Sequence, residues 1–534
     1  MPAALSVDQS LKRARRALKN GDRQEAKTVL TAVLQRFPAN RRAQQALAQI
    51  DDVPVAELVA EAEWLERTRA YDSAERVWEQ AFQRSGKEAR AGLGLALCRL
   101  TLGRPARALE ACEAVLSIRP DHAMALDIKG RALRDLGRPD EAEACHKAAL
   151  GNGVIDAGPL NHLGILAQAR GERRAAAEFY RQALVLAPDQ PDLHHNLSRV
   201  ITYHAQEPHL ANLHAQISNA APDDTDAAPL HFAMFKALDD LGEYDAAFAH
   251  LEIGNRLRKQ AFTYDIRRDA ARFSFCRALL ADAPVLHNPD PAAIRPIFVT
   301  GLPRSGTTLV EQILSQAPGT QAGGELAVVA NAAARVLRAM QIGKHNRIDT
   351  DTLATFRTEV LDGLREFSDG APVLIDKMPL NFRWIGLICA AFPEAKILHL
   401  ERNPLAVAWS LYRHKFSGGG NGFAYDIADI ATYLVLHRDL VSNWQQLYPG
   451  RVTTVDYGAL VQNPEPAIRR IISACDLEWS DACLAPQNSS RSVLTASAAQ
   501  VREPIHDEAD QGWRRYESQL APLRVALRAA NILP

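Results

Sequence analysis

The stretch Ile297-Phe-Val-Thr-Gly301-Leu-Pro-Arg304-Ser-Gly306-Thr-Thr-Leu309 reads as an apolar strand, a Gly/Ser turn and the start of an amphipathic helix. Its two glycines have the separation of a Walker A phosphate loop, but Thr307 and Thr308 stand where that motif needs Lys followed by Ser or Thr. A strand-turn-helix junction presents backbone N–H groups and the positive end of a helix dipole, which together hold an anion. The charged side chain of this loop is Arg304, whose planar fork suits a multi-oxygen group such as a phosphate or a sulfuryl. The expectation is an anion-binding loop formed by Arg304, Ser305, Gly306, Thr307 and Thr308, lacking the usual phosphate lysine.

Beyond this loop, short β-rich runs at Val373 to Ile375, Lys396 to Leu400 and Val452 to Val455 alternate with helical stretches. That alternation predicts a parallel sheet with helices on both faces. The Lys396 to Leu400 run leads into Glu401-Arg402-Asn403-Pro404 and then a helix-like segment reaching Ser410. An arginine at a strand's carboxyl end with a hydroxyl eight residues on is placed to close around one phosphate, in the crevice where α/β sheets bind ligands.

Before the loop the chain repeats. Ala74, Ala108, Ala142 and Ala176 are spaced by 34 residues; Ala62, Ala96, Gly130 and Gly164 precede them, and Ala81, Val115, Ala149 and Ala183 follow. Small residues at these offsets let two antiparallel helices approach closely, and Pro120 and Pro188 close two of the units. Gly103-Arg-Pro, Gly137-Arg-Pro and Gly171-Glu-Arg mark the turns inside the units. This pattern resembles the tetratricopeptide repeat over about residues 8 to 190, with a degenerate first unit (Ala14, Ala26, Val33, Pro38) offset by an insertion near Asp51-Asp-Val-Pro54. Stacked repeats of this kind leave a concave face for partners, often peptides, or serve only as a spacer. Residues 203 to 290 read as further helices and a linker, with Leu241-Gly-Glu-Tyr-Asp-Ala-Ala247 echoing the repeat turn.

With 534 residues, 47% hydrophobic and 23% charged, the chain has room for several domains with sizeable cores. A formal net charge of -1 gives no global field toward nucleic acid or an anionic membrane. The N-terminus moves directly into Leu11-Lys-Arg-Ala-Arg-Arg without a signal-peptide core, and no apolar run reaches the roughly 18 residues of a membrane span. Seven cysteines have neither CxxC nor Cys/His zinc spacing, so a reduced, cytoplasmic protein without a structural metal is expected.

The pairing of Pro303-Arg-Ser-Gly-Thr-Thr308 with Arg402 and Ser410 resembles the 5′-phosphosulfate loop and 3′-phosphate site of sulfotransferases, over about residues 295 to 520. These enzymes use 3′-phosphoadenosine 5′-phosphosulfate (PAPS) and release 3′-phosphoadenosine 5′-phosphate (PAP), with no metal. Within the superfamily the segment is most similar to protein-tyrosine sulfotransferases and to bacterial enzymes that fuse tetratricopeptide repeats to a sulfotransferase domain. The resemblance implies an α-solenoid followed by an α/β, P-loop-like domain with a central parallel sheet: repeats over 1–202, a further helical segment and linker over 203–290, and the sulfotransferase domain over 291–534.

It also implies roles. Glu325, after Gly323-Gly324, matches the catalytic base, which would take the acceptor's proton. Lys377 matches a strand-end lysine that stabilises the leaving oxygen, with Arg304 and Ser497 beside the transferred group. Tyr457, Gln500 and Val501 match donor-contacting positions, and Trp513 keeps its spacing from Pro504 in a late covering loop. The chain departs from the pattern at Gly512, where the family has a lysine that Arg514 or Arg515 would replace, and at His414, where a basic residue follows Ser410 by four. Ser417-Gly-Gly-Gly-Asn-Gly-Phe423 reads either as a mobile flap over the acceptor or as a disordered connection; the acceptor hydroxyl is that of a polypeptide tyrosine, a glycan or a small alcohol, with the repeats holding a protein acceptor. His399 and His414 lie near the site on this reading, each as a buried or merely local histidine, and would serve as the base only if Glu325 does not. Two other readings remain at this stage: a repeat scaffold whose transferase-like domain only binds a nucleotide, and a P-loop phosphotransferase in which Asp376 holds Mg²⁺.

Overall fold

A computed structural model describes residues 7–19, 23–51, 53–153, 156–287, 289–290, 292–343, 347–416, 419–489, 502, 505 and 511–533. The chain falls into two compact units, Met1–Ala132 and Leu133–Pro534.

The first unit is helical. Pairs such as Val55–Arg67 with Tyr71–Arg84 and Ala89–Thr101 with Pro105–Leu116 form the repeats. They meet through the small residues that the 34-residue period picks out: Ala62, Ala74, Ala81, Ala96 and Ala108 are fully buried. Gly103 turns the chain between helices at φ 68, a left-handed conformation that costs glycine nothing. Pro105 then opens the next helix, where its missing N–H would have had no partner.

The second unit continues the same architecture through Ala157–Ala169, Arg173–Leu186 and Pro191–Ser198. Gly164 faces Tyr180 so closely that a Cβ there would sit 2.4 Å from the ring. Longer helices follow at Ala228–Leu241, Tyr244–Phe262 and Ile266–Leu280. The chain then enters a five-stranded sheet: β1 Arg295–Gly301, β2 Thr320–Gly324, β3 Val373–Asp376, β4 Lys396–Glu401 and β5 Val452–Asp456. The order is β2-β3-β1-β4-β5 and every pair is parallel. β1 is central because both its faces are apolar: Ile297 and Val299 join one core, Phe298 the other. Four strands lie where the β-rich runs predict them. β2, Thr-Gln-Ala-Gly-Gly, has no β-rich run of its own and is not among the strands that the sequence predicts; its pairing to β3 creates it.

One apolar core runs from Ala167 and Tyr180 in the last repeats, through Phe232, Phe235 and Phe248, to Phe298, Trp409 and Tyr516. Trp409 and Tyr516 lie 4.4 Å apart by ring centroid, and Phe235 meets Trp409 edge-on at 6.0 Å. The Asn255 side-chain amide donates to the Tyr412 carbonyl at 3.0 Å, and the Tyr516 hydroxyl donates to Asp239 at 2.6 Å. The boundaries expected at 202/203 and at 290/291 therefore both lie inside the second unit. Among the described residues no helix is long and apolar enough to cross a membrane.

Candidate functional site

The loop after β1 feeds directly into the Thr307–Leu314 helix, with Gly306 as its N-terminal residue in a left-handed conformation at φ 102. Thr307 and Thr308 are buried in the helix's first turn. The Ser305 hydroxyl is buried with no hydrogen-bond partner among the described residues, which marks a group built to meet something the protein does not itself supply. Arg304 is held at φ 71, an uncommon conformation for a side-chain-bearing residue and one that clusters at ligand sites.

Arg304 joins the two anion sites read from the sequence. Its Nε–H donates to the Ser410 hydroxyl at 2.9 Å, and its own carbonyl accepts from Arg402 Nη1 at 2.8 Å. The Arg402 guanidinium lies 4.4 Å over the ring of Tyr457, a cation–π contact. The same ring closes over Gly306, where a Cβ would come within 2.3 Å of it. Arg304, Ser305, Gly306, Arg402, Ser410 and Tyr457 are thus one site at the carboxyl ends of β1 and β4. Burial, then the like charges of Arg413, Arg402 and Arg199, pull the Arg304 guanidinium down to about 9. An anion in the pocket would reverse that.

On the other side of β1 the ends of β2 and β3 bring Glu325 and Lys377 together, Oε1 to Nζ, at 2.7 Å. Lys377 is completely buried, whereas 46% of the Glu325 side chain is open, so the carboxylate is the member of the pair that an acceptor can reach. Glu311, on the loop helix, is a residue that the sequence reading missed. Its Oε1 accepts the Gly324 N–H at 2.8 Å and its Oε2 lies 4.0 Å from Lys377 Nζ. The signal was a lone carboxylate beside Gln312 in a helix start flanked by Leu309-Val310 and Ile313-Leu314. Asp376, next to Lys377, has no exposed surface, accepts from the Asn381 amide at 3.0 Å, and is pushed up to about 8, chiefly by burial. A Mg²⁺-holding aspartate has to be ionised and open to water, so this environment argues against the phosphotransferase reading.

Other expected residues fall differently. Ser497, Gln500 and Val501, with Pro504, lie outside the described residues. His399 is fully buried, its Nδ1 3.0 Å from the Thr300 hydroxyl and its ring 5.1 Å from that of His437. His414 is held well below its ordinary range by burial and by Arg304, Arg199, Arg413 and Lys415, so it is neutral near pH 7. Of the candidates to replace the lysine absent at Gly512, Arg515 lies close enough for its charge to act on Arg413. In the glycine-rich segment, residues Gly419–Tyr425 form a short 3-10 segment kinked at Asn421. Phe423 in that segment is fully buried and stacks on Tyr433 at 3.6 Å, while Gly422 packs against Tyr264.

Residues 296–481 match the sulfotransferase family. The chain carries a sulfotransferase-family domain. Ahead of this sulfotransferase domain, residues 11–50, 60–123 and 160–193 match tetratricopeptide repeats. An uncharacterized protein of Aquifex aeolicus is 33% identical over 383 residues, covering 68% of this chain and 50% of that protein. A protein-tyrosine sulfotransferase of Drosophila melanogaster is 26% identical over 245 residues, covering 41% and 46% of the two chains. Protein-tyrosine sulfotransferase 2 of Gallus gallus is 26% identical over 242 residues, covering 41% and 62%. The chain thus spans about half the length of the first two of these relatives.

Proposed function

We propose that the protein transfers a sulfuryl group from PAPS to an acceptor hydroxyl, with a polypeptide tyrosine as the acceptor class and the cytoplasm as the compartment, which suits a chain whose cysteines have neither CxxC nor Cys/His zinc spacing. The observation that carries this reading is the bridge made by Arg304 from the loop after β1 to Ser410 after β4, reinforced by Arg402. A donor with phosphates at both ends of one nucleoside needs two linked anion sites, and the buried, unpartnered Ser305 hydroxyl fits a group that brings its own acceptor oxygens. The donor supplies an activated sulfuryl group on a phosphate oxygen.

Residues 304–308 would hold the 5′ end, and Arg402, Ser410 and the face of Tyr457 the 3′ end. Glu325 takes the proton from the acceptor hydroxyl as the new S–O bond forms and the bond to the phosphate oxygen breaks. Lys377, relieved of Glu325, and Arg304 meet the negative charge left on that oxygen, with Ser497 proposed beside them. PAP is the product that leaves. The resemblance of the second half to protein-tyrosine sulfotransferases supports the acceptor class, and the repeats are suited to holding a protein chain. Incubation of the full chain with labelled PAPS and a host lysate is expected to place label on protein, at tyrosine. Absence of transfer to any acceptor from a preparation that binds PAP would reduce the domain to a nucleotide-binding module.

A further inference from the structure

Two segments beside the donor site are fastened from outside the sheet: Lys415 pairs through Nζ with Asp192 at 2.7 Å, and Arg502 donates through Nη2 to the Ala169 carbonyl at 2.8 Å. Glu325 and Lys377 are fastened from inside it, by Glu311. This residue lies four positions, about one turn, after Thr307, so the helix that begins at the anion loop carries it. At 1% exposure it is out of an acceptor's reach. An ionised group is costly to bury unless it is paired and hydrogen-bonded, and Glu311 is both.

Its Oε1 accepts the Gly324 N–H at 2.8 Å, at the point between Ala322 and Gly324 where the register of β2 on β3 shifts. The Gly324 carbonyl accepts the backbone N–H of Lys377 at 2.9 Å. Gly324, at a left-handed φ of 79, is thus held by both its polar groups just before the chain reaches Glu325. The second oxygen, Oε2, lies 4.0 Å from Lys377 Nζ, the same ammonium that donates to Glu325 Oε1 at 2.7 Å. One buried ammonium therefore stands between an open carboxylate and a closed one. Asp376 is not a third, because a carboxyl pushed up to about 8, chiefly by burial, keeps its proton at neutral pH.

The two carboxylates part company during transfer. Glu325 takes the acceptor's proton while the new S–O bond forms and the old one breaks, its electron pair staying on the phosphate oxygen. Glu325 is then neutral and its attraction for Lys377 is gone. Glu311 keeps its charge beside the ammonium, and at 4.0 Å it is too far to occupy a hydrogen of Nζ, which stays available to the phosphate oxygen. We propose that Glu311 is a positioning residue of the transfer step: Oε1 sets the end of β2 that carries Glu325, and Oε2 answers the Lys377 charge once Glu325 is neutral. This rests on the reading of Glu325 as the base.

The test uses the full chain and the variants Glu311→Gln, Glu325→Gln, the two together, and the two together with Lys377→Met. Glutamine at 311 keeps an oxygen for Gly324 and loses the charge. In urea melts each single variant is expected to lower the midpoint modestly, since Lys377 retains one carboxylate. The double variant should lose more than the sum of the two, and adding Lys377→Met should recover most of the excess, because no ammonium is left to answer. Calorimetry with PAP should give wild-type affinity for Glu311→Gln, while the initial rate of label transfer from PAPS to lysate protein falls about ten- to a hundredfold. Additive midpoint losses, or a wild-type rate in folded Glu311→Gln, overturn the proposal. Where Glu311→Gln alone fails to fold, Glu311→Gln with Lys377→Met is expected to fold, and its failure as well overturns the proposal. A wild-type rate in Glu325→Gln, with the rate lost in Glu311→Gln, overturns instead the reading of Glu325 on which the proposal rests.

Discussion

Glu325 and Lys377 hold each other at 2.7 Å, so neither is idle before the donor arrives. A buried ammonium stripped of its partner is costly, but Glu311 remains 4.0 Å away as a second counter-charge. Glu325→Gln is therefore expected to stay folded and bind PAP normally, while the transfer rate falls by about a hundred- to ten-thousand-fold, the usual contribution of a general base. Single-turnover assays beside calorimetry would check both halves, and a wild-type rate would remove Glu325 from the mechanism. Asp376 makes a different kind of prediction. With its folded carboxyl raised to about 8, the native state keeps a proton that the unfolded chain has already released above about 4. Stability from this group is thus complete at low pH and declines as pH rises toward 8, at up to about 1.4 kcal/mol per pH unit. Asp376→Asn should flatten that decline in denaturant melts across pH 5 to 8, and an unchanged slope would mean that the carboxyl is ionised. Arg304, Lys377 and Arg402 could be read from the chain because their residue types sit at strand ends. Glu311 could not, because a carboxylate on a helix looks solvent-facing until the glycine it binds is known.

The strand-turn-helix element is shaped by one close approach. Gly306 combines a left-handed φ of 102 with a Tyr457 ring that leaves no room for a Cβ, and that ring supports Arg402 from 4.4 Å. Gly306→Ala should displace the tyrosine and with it the arginine, costing on the order of 1–3 kcal/mol of stability and weakening PAP binding. Adding Tyr457→Ala should recover part of the stability but none of the affinity, which thermal melts and titration of the double variant would show. Strictly additive losses would mean that the two residues do not share a contact. The apolar strands were legible because β-branched and leucine runs bounded by Gly and Pro leave few alternatives. β2 was not, since Thr320-Gln-Ala-Gly-Gly324 has no such run. It is drawn into the sheet by pairing with β3 and by the Thr320 hydroxyl, which donates to the Leu314 and Ala317 carbonyls. Gly323 is favoured there, because a Cβ would lie 3.1 Å from the Ile375 carbonyl oxygen and press on it. A tertiary requirement of that kind leaves only glycines in the sequence, which also suit a loop.

Across the whole molecule, the period of 34 announced the repeats, but it could not announce where they stop being separate. The junction is made by aromatic side chains far apart in the chain, such as Phe235, Phe248, Trp409 and Tyr516, whose mutual packing has no local signature. A fragment beginning at Pro291 strips Trp409 and Tyr516 of Phe235 and Phe248, and leaves Asp426 and Asp429 without Lys259, their ion-pair partner. It is expected to be insoluble or molten, whereas a fragment beginning at Asp121 should melt cooperatively and bind PAP like the full chain. Native-like melting and PAP binding by the shorter fragment would show the sheet to be self-sufficient. The fastening of Lys415 to Asp192 and of Arg502 to Ala169 has a consequence for how such a protein can diversify. Repeats near the site are tied to the chemistry and cannot be exchanged without disturbing it. Those of the first unit lie outside these ties, so duplication, loss or recombination of whole 34-residue modules there would redirect one transferase to new clients without rebuilding its pocket.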